Sequence, residues 1–350
     1  MKKEQKYFRG CLVGGAVGDA LGWPVEFLKY QEIVEKYGAK GIEDLDLGNK
    51  KVAEITDDTQ MTMFTAEGLL RAVTRCSEKG EKKEANSLPS VIFHAYQRWL
   101  VTQGYDTGIL KELDGLLINV SKLHEQRAPG NTCLTALKSG KMGTMEQPIN
   151  NSKGCGGVMR VAPVGLFCSR ESAFQIGCQS AAITHGHPSG YLSAGVLAYL
   201  IACIIEGMEL EEAVTASLEE LKKHKGHEEC SSLLEKAITL SKDNTEPLTA
   251  LSQLGEGWVG EETVAIAVYC SLKERNDFKK ALLISVNHDG DSDSTGAVTG
   301  NILGAYLGID AIPAPWVQKV EFADLLIELA DDLLIGYQDT EEWRNKYPGW

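Results

Sequence analysis

The sequence predicts an all-α fold, on three observations. Apolar residues recur at threes and fours along five segments, strand-like alternation is scarce, and glycine recurs at every fourth position from Gly10 to Gly22. In that first segment Leu12, Val13, Ala16, Val17, Ala20 and Leu21 fill the turns between Gly10, Gly14, Gly18 and Gly22. On a helix this spacing makes one glycine stripe, which lets another backbone approach closely. Each helical glycine costs about 1 kcal/mol against alanine, so the stripe needs a packing reason. Met61 to Val73, Tyr191 to Ile205, Thr263 to Leu272 and Ala297 to Leu307 follow as further apolar-periodic helices. Ser77 to Pro89 and Leu221 to Pro247 are polar and read as surface excursions within one domain. No linker splits the chain and no fixed-period repeat appears.

The 350 residues are within reach of one large domain, and 43% hydrophobic residues supply a sizeable core. Lysine and arginine total 35 against 49 acidic residues, a net charge of −14 with no basic tract. That balance argues against duplex DNA or an anionic membrane as partner, since both need positive charge. Nine cysteines stand without a C-x-x-C, which suggests neither a disulfide framework nor a zinc ribbon. The start, Met1-Lys-Lys-Glu-Gln-Lys, lacks the apolar stretch of a signal peptide, and the uncharged run Tyr191 to Ile205 is short for a bilayer. The expectation is a soluble protein of a reducing compartment, the cytoplasm.

Two acidic clusters each precede a helix: Thr56-Asp57-Asp58-Thr59-Gln60, and Asp289-Gly290-Asp291-Ser292-Asp293-Ser294-Thr295. Helix capping is the commoner reading of either alone, and Asp57 with Gln60 resembles a capping box. One cap needs one side chain, however, whereas these stretches hold five aspartates with hydroxyl residues between them. If they meet in space, each carboxylate pair at 4 Å repels by about 4 kcal/mol at an effective dielectric of 20. A fold keeps such a cluster when cations neutralise it, and oxygen-only ligands favour Mg²⁺, Mn²⁺ or Ca²⁺ over zinc. An EF-hand fails: with Asp289, Asp291 and Asp293 as loop positions 1, 3 and 5, Ser294 stands where glycine belongs and Gly300 where the bidentate glutamate belongs.

Three further features carry less weight singly. The loop Asn150-Asn-Ser-Lys-Gly-Cys-Gly-Gly-Val-Met-Arg160 could hold a diphosphate on its amide N–H groups, though it fits neither the P-loop nor the dinucleotide pattern. His185 and His187 could bind zinc, but no third soft ligand is apparent, and a nucleotide contact or a packed histidine is the commoner outcome. Glu26 ends the glycine-striped segment, where a lone glutamate is ordinarily solvated surface.

In combination these motifs are specific. Gly18-Asp-Ala-Leu-Gly-Trp-Pro-Val-Glu-Phe27, Thr56-Asp-Asp-Thr-Gln-Met61, Gly156-Gly-Val-Met-Arg-Val-Ala-Pro163, His185-Gly-His187 and Gly290-Asp-Ser-Asp-Ser-Thr-Gly-Ala297 occur in that order. Together they resemble the ADP-ribosylglycohydrolase family over roughly residues 5–310. The resemblance implies a single compact all-α domain over 1–350, with a C-terminal helical segment at 311–350. It also implies a dinuclear magnesium site, with manganese as the alternative, and an activity that removes ADP-ribose from modified proteins. By resemblance Thr56, Asp57 and Asp58 bind metal from one side, and Asp291, Asp293 and Ser294 from the other. Many members have threonine at the Ser294 position; the hydroxyl survives here. Glu26, Asp58 and Asp291 are the expected catalytic residues. Gly154, Cys155, Gly156, Gly157 and Val158 match the segment that cradles the diphosphate, with Cys155 where relatives often have asparagine. Gly130 belongs to a second phosphate-side loop, and His185, Trp258 and Val259 fall in segments lining the nucleoside pocket.

The expected function is hydrolysis of an ADP-ribosyl linkage on a protein, most simply to arginine. Serine, a nucleic-acid end or an ADP-ribose-containing small molecule are the other acceptors the resemblance allows. A non-catalytic relative, as among the lens crystallins, has little reason to keep every carboxylate, and this chain keeps Glu26, Asp57, Asp58, Asp291 and Asp293.

Overall fold

The computed structural model describes residues 1–80 and 88–349, so most of the Ser77–Pro89 excursion lies outside the described residues. In chain order the helices are α1 (Gln5–Gly22), α2 (Tyr30–Tyr37), α3 (Asp57–Lys79), α4 (Leu88–Thr102), α5 (Asn131–Lys138) and α6 (Ala162–Phe167). They continue with α7 (Arg170–Ala182), α8 (Pro188–Ile205), α9 (Leu210–Leu221), α10 (Glu228–Lys242), α11 (Pro247–Leu254) and α12 (Gly260–Lys273). The last are α13 (Phe278–Val286), α14 (Ser292–Leu307), α15 (Ala314–Lys319), α16 (Ala323–Ile335) and α17 (Glu341–Lys346). Among the described residues the only β pairing is two isolated bridges, Ala53 with Val320 and Gly154 with Val259. All five apolar-periodic segments are helical.

The glycine stripe has its packing reason. α1 and α14 run antiparallel, and their glycines meet in register: Gly10 with Gly304, Gly14 with Gly300, and Gly18 with Gly296. A Cβ added at Gly14 would lie 2.5 Å from the Gly300 carbonyl oxygen, far inside van der Waals contact. The Asn301 side chain locks the pair by donating to the Cys11 carbonyl at 2.8 Å. The consequence for function is positional: the end of α1, with Glu26 just beyond it, arrives beside the start of α14.

Helix propensity and packing make opposite predictions at this seam. Alanine at position 300 gains about 1 kcal/mol of propensity, but its Cβ would lie 2.5 Å from the Gly14 carbonyl carbon. Overpacking of this kind costs about 1–3 kcal/mol or more. Gly300→Ala is therefore expected to lower the urea midpoint; a raised midpoint would show that the backbones are not in contact.

α3 is tethered to α1 by one buried carboxylate. Asp19 accepts the Thr56 N–H at 3.0 Å, the Thr59 N–H at 3.2 Å and the Thr59 hydroxyl at 2.5 Å. The apolar α8 passes a length-and-composition test for crossing a membrane, but it lies mostly buried, packed against α6, α7, α9 and α12. The C-terminal helices are part of the same packing: Arg9 in α1 pairs with Asp331 in α16, and the Trp343 indole donates to Thr74 Oγ1 at 2.9 Å.

One expectation is corrected. Leu221–Pro247 is more than a surface excursion, because α10 within it buries Cys230, Leu234, Ala237 and Leu240 against the core, chiefly α12. Those residues are three or four apart, so they form one apolar stripe among charged neighbours.

Candidate active site

The starts of α3 and α14 face each other across the end of α1. Thr56, Asp57, Asp58, Asp291, Asp293 and Ser294 are all buried, each at most 5% exposed. The cap of α3 is Thr56, whose hydroxyl accepts the Asp58 N–H at 3.3 Å. The capping box read for Asp57 and Gln60 does not form. Gln60 instead donates to the Glu125 carbonyl and accepts from Trp99 and Gln103, so it holds neighbouring segments together. Asp291 does cap α14, accepting the Ser294 N–H at 3.2 Å through Oδ1, while its Oδ2 takes the Cys155 thiol at 2.9 Å. Asp293 Oδ1 accepts the same Ser294 N–H at 2.8 Å. Asp57 Oδ2 accepts the Gly130 N–H at 3.1 Å, which ties the Arg127–Asn131 loop to the cluster.

Glu26 is half-buried and completes the group. A short 3₁₀ turn, Trp23–Val25, continues α1 and carries Glu26 over the start of α14. Glu26, Asp291 and Asp293 each offer an oxygen within 4.8 Å of the other two. Glu26 Oε2 and Asp58 Oδ2 are buried without any hydrogen-bond partner. Among the described residues no lysine or arginine pairs with Glu26, Asp57, Asp58, Asp291 or Asp293. Buried carboxylates in that state are costly unless something positive sits among them. The positive ends of α3 and α14 offset part of this charge. The orphaned oxygens and the all-oxygen donor set fit a hard divalent cation.

Burial first, joined by repulsion from neighbouring acids, favours the protonated forms of Glu26, Asp57, Asp58 and Asp293. Glu26 is pushed up to about 9, by burial and then by Asp291, Asp57 and Asp19. Asp57 rises to about 7 and Asp19 to about 6, both chiefly through burial. Asp58 and Asp293 are raised well above the usual carboxylate range for the same reason, and each feels the charge of residues on the opposite helix start. Without a cation the folded protein therefore binds more protons than the unfolded chain, from the ordinary carboxylate values near 4 up to about 9. Stability falls as pH rises through that window. In chelator the melting temperature is expected to be higher at pH 6 than at pH 8.5, and Mg²⁺ is expected to shrink the difference. Equal melting at both pH values in chelator would contradict this electrostatic picture.

The glycine loop borders the acids. Cys155–Gly157 forms a 3₁₀ turn, pinned where the Cys155 N–H donates to the Trp258 carbonyl at 3.2 Å and the Val158 N–H to the Cys155 carbonyl at 2.9 Å. Gly154 pairs with Val259, and its N–H also donates to Ser152 Oγ at 3.3 Å. Those three amides are committed within the protein. Gly156 has no room for a side chain: a Cβ there would come within 2.9 Å of His185 Cε1 and 3.0 Å of Cys133 Sγ. His185 is thus the floor of the loop, 1% exposed, with Nδ1 2.8 Å from the Thr184 hydroxyl. Burial and then Arg160 lower its pKa to about 3, so it is a neutral packed imidazole. His187 accepts the Ser189 N–H to cap α8. Among the described residues, the grouping with metal-ligand spacing contains neither histidine.

Trp258 stacks on Phe27, with ring centroids 5.2 Å apart and planes 22° from parallel, and its indole donates to Glu256. Phe27, at φ 67° and 68% exposed, follows Glu26 directly, so an aromatic pair rims the acids. Sequence reasoning gave roles to neither Phe27 nor Asp19. Asp19 had a signal, a lone carboxylate inside an otherwise apolar and glycine-rich helix; Phe27 had none beyond its place after Glu26.

Fold and site together define a helical protein built around a buried acidic centre. The chain belongs to the ADP-ribosylglycohydrolase family, whose model matches residues 2–342. It is 27% identical over 367 residues to the mouse ADP-ribosylhydrolase ARH3, covering 95% of this chain and 92% of that one. The ADP-ribosyl-[dinitrogen reductase] glycohydrolase of Rhodospirillum rubrum is 26% identical, with 89% of each chain covered. ADP-ribosylarginine hydrolase Tri1 of Serratia proteamaculans is 25% identical, over 95% of this chain and 80% of Tri1. Among solved structures, an ADP-ribosylglycohydrolase-related protein complex shares the fold with a TM-score of 0.65 at 22% identity, covering 96% of this chain and 99% of that one. The protein is a glycohydrolase of the family that removes ADP-ribose.

Proposed function

We propose that the protein is a divalent-cation-dependent hydrolase that releases ADP-ribose from arginine side chains of modified proteins. The observation that carries the cation dependence is the pair of orphaned buried oxygens, Glu26 Oε2 and Asp58 Oδ2, in a cluster that no lysine or arginine among the described residues pairs with. Thr56, Asp57 and Asp58 from α3, with Asp291, Asp293 and Ser294 from α14, are the residues that would hold two Mg²⁺ ions, or Mn²⁺. When bound, such ions hold ribose hydroxyls and lower the pKa of a coordinated water. ADP-ribose is anionic and this protein is acidic, so the ligand needs positive charge and N–H donors facing it. The loop Gly154–Val158 would hold the diphosphate beside the cluster through amides other than those of Gly154, Cys155 and Val158, which are bonded within the protein; Gly130, whose N–H goes to Asp57, would border it on that side. His185 keeps that loop in shape from below. Trp258 and Val259 would line the nucleoside side. Glu26, with one oxygen free of hydrogen bonds, would move a proton during hydrolysis of the C1″–N or C1″–O bond.

Arginine as acceptor is supported by likeness to Tri1, whose name specifies ADP-ribosylarginine, rather than by any single residue here. A reducing compartment such as the cytoplasm is the location we propose, in keeping with nine cysteines that include no C-x-x-C. The test is ADP-ribose release from matched arginine- and serine-linked substrates in Mg²⁺. Release from the arginine linkage is expected; rapid release from serine with none from arginine would overturn the acceptor assignment.

A further inference from the structure

Arg160 is fully buried just past the glycine loop, and none of its partners is a carboxylate. Its Nη2 donates to the Thr184 hydroxyl at 2.7 Å and to the Ser180 carbonyl at 3.2 Å. Nη1 lies 3.3 Å from Cys133 Sγ and 3.7 Å from Met61 Sδ. The guanidinium carbon stands 4.2 Å over the Tyr96 ring, and Nε has no partner at all. Among the described residues the other buried arginines, Arg71 and Arg98, both face the Glu67 carboxylate. A buried cation without a counter-charge is costly, so Arg160 lacks what the other two have.

The missing anion has a place on the far side of the loop. Gly156 rests on His185 and Cys133, which lie 2.9 Å and 3.0 Å from where its Cβ would be. Cys133 touches Arg160 directly, and His185 does so through Thr184, whose hydroxyl is 2.8 Å from Nδ1. The guanidinium is therefore one side-chain layer beneath the loop backbone. We propose that Arg160 is the buried counter-charge of the diphosphate, a positioning residue that acts through Cys133, His185 and the Gly154–Val158 loop and touches no ligand atom. The inference rests on the reading of that loop as the diphosphate site. It gives a chain of net charge −14 a fixed positive potential where the anion must sit. At roughly 10 Å and an effective dielectric of 20, opposite unit charges favour each other by more than about tenfold. The competing role is a structural post, in which the contacts to Thr184, Ser180 and Cys133 matter and the charge does not.

The test compares two ligands that differ in charge, ADP-ribose and the uncharged adenosine, by calorimetry on the full chain in Mg²⁺. Wild type is measured beside R160Q, which removes the charge and keeps a side chain that can hydrogen-bond, and R160K, which keeps a cation and loses the planar contacts. R160Q is expected to weaken ADP-ribose binding by about tenfold or more and adenosine binding by less than about twofold, with R160K recovering most of the loss. R160Q that keeps full ADP-ribose affinity would overturn the proposal and leave the loop's role standing. Equal loss of both ligands in R160Q would make Arg160 a structural post. If R160Q does not fold, R160K decides: both affinities near wild type support the counter-charge, and equal loss of both overturns it. Wild type that binds ADP-ribose no more tightly than adenosine would remove the diphosphate reading of the loop, and the role of Arg160 with it.

Discussion

Glu26→Gln is expected to lose on the order of 10²–10⁴ in turnover, the usual contribution of a general acid–base step, while ADP-ribose affinity stays near wild type. Glutamine keeps the volume and one carbonyl oxygen toward Asp291 and Asp293, but it cannot exchange a proton. The Glu26 carboxylate is also unusually placed to hold one, since burial and three neighbouring acids push it up to about 9. A side chain that only filled space would leave turnover intact under this substitution. Steady-state release kinetics with calorimetry of ADP-ribose separate the two readings: normal turnover in the variant would remove Glu26 from the mechanism.

The second large effect concerns Asp58 and Asp291. Replacing either with asparagine is expected to abolish most activity and metal affinity together. The same substitutions are expected to leave stability in chelator unchanged or improved. Asp58 Oδ2 has no hydrogen bond to lose, and its charge opposes those of Asp19, Asp57 and Asp291. Asp291 caps α14, but asparagine caps about as well as aspartate. Simple capping at both positions predicts a different pattern, with metal response unchanged and at most a modest loss of stability.

How far the site could be read from sequence depended on whether a signal was local. The glycine stripe in α1 is a four-residue period, so it announced a close helix contact without naming its partner. That partner, α14, carries Gly296, Gly300 and Gly304 at the same spacing, and their contact sets Glu26 beside Asp291 and Asp293. Both acidic clusters were visible as excess charge at helix starts. Their meeting was inferred only through resemblance, because residues 58 and 291 are brought together by tertiary packing. Asp19 stayed unassigned because its partners, Thr56 and Thr59, lie on another helix. His185 turned out to be a buried support because the loop above it is glycine, which sequence spacing alone does not disclose. The buried stripe of α10 was hidden by the charges between its apolar residues.

The central claim, that the two helix starts share cations, is tested most directly by thermal melts of wild type, Asp58→Asn and Asp291→Asn with and without Mg²⁺. Mass action stabilises wild type by about 2.7 kcal/mol at a hundredfold excess of Mg²⁺ over Kd. The account predicts a clear Mg²⁺-induced rise in melting temperature for wild type and a much smaller rise for both variants. A Mg²⁺ shift in both variants equal to that of wild type would contradict it.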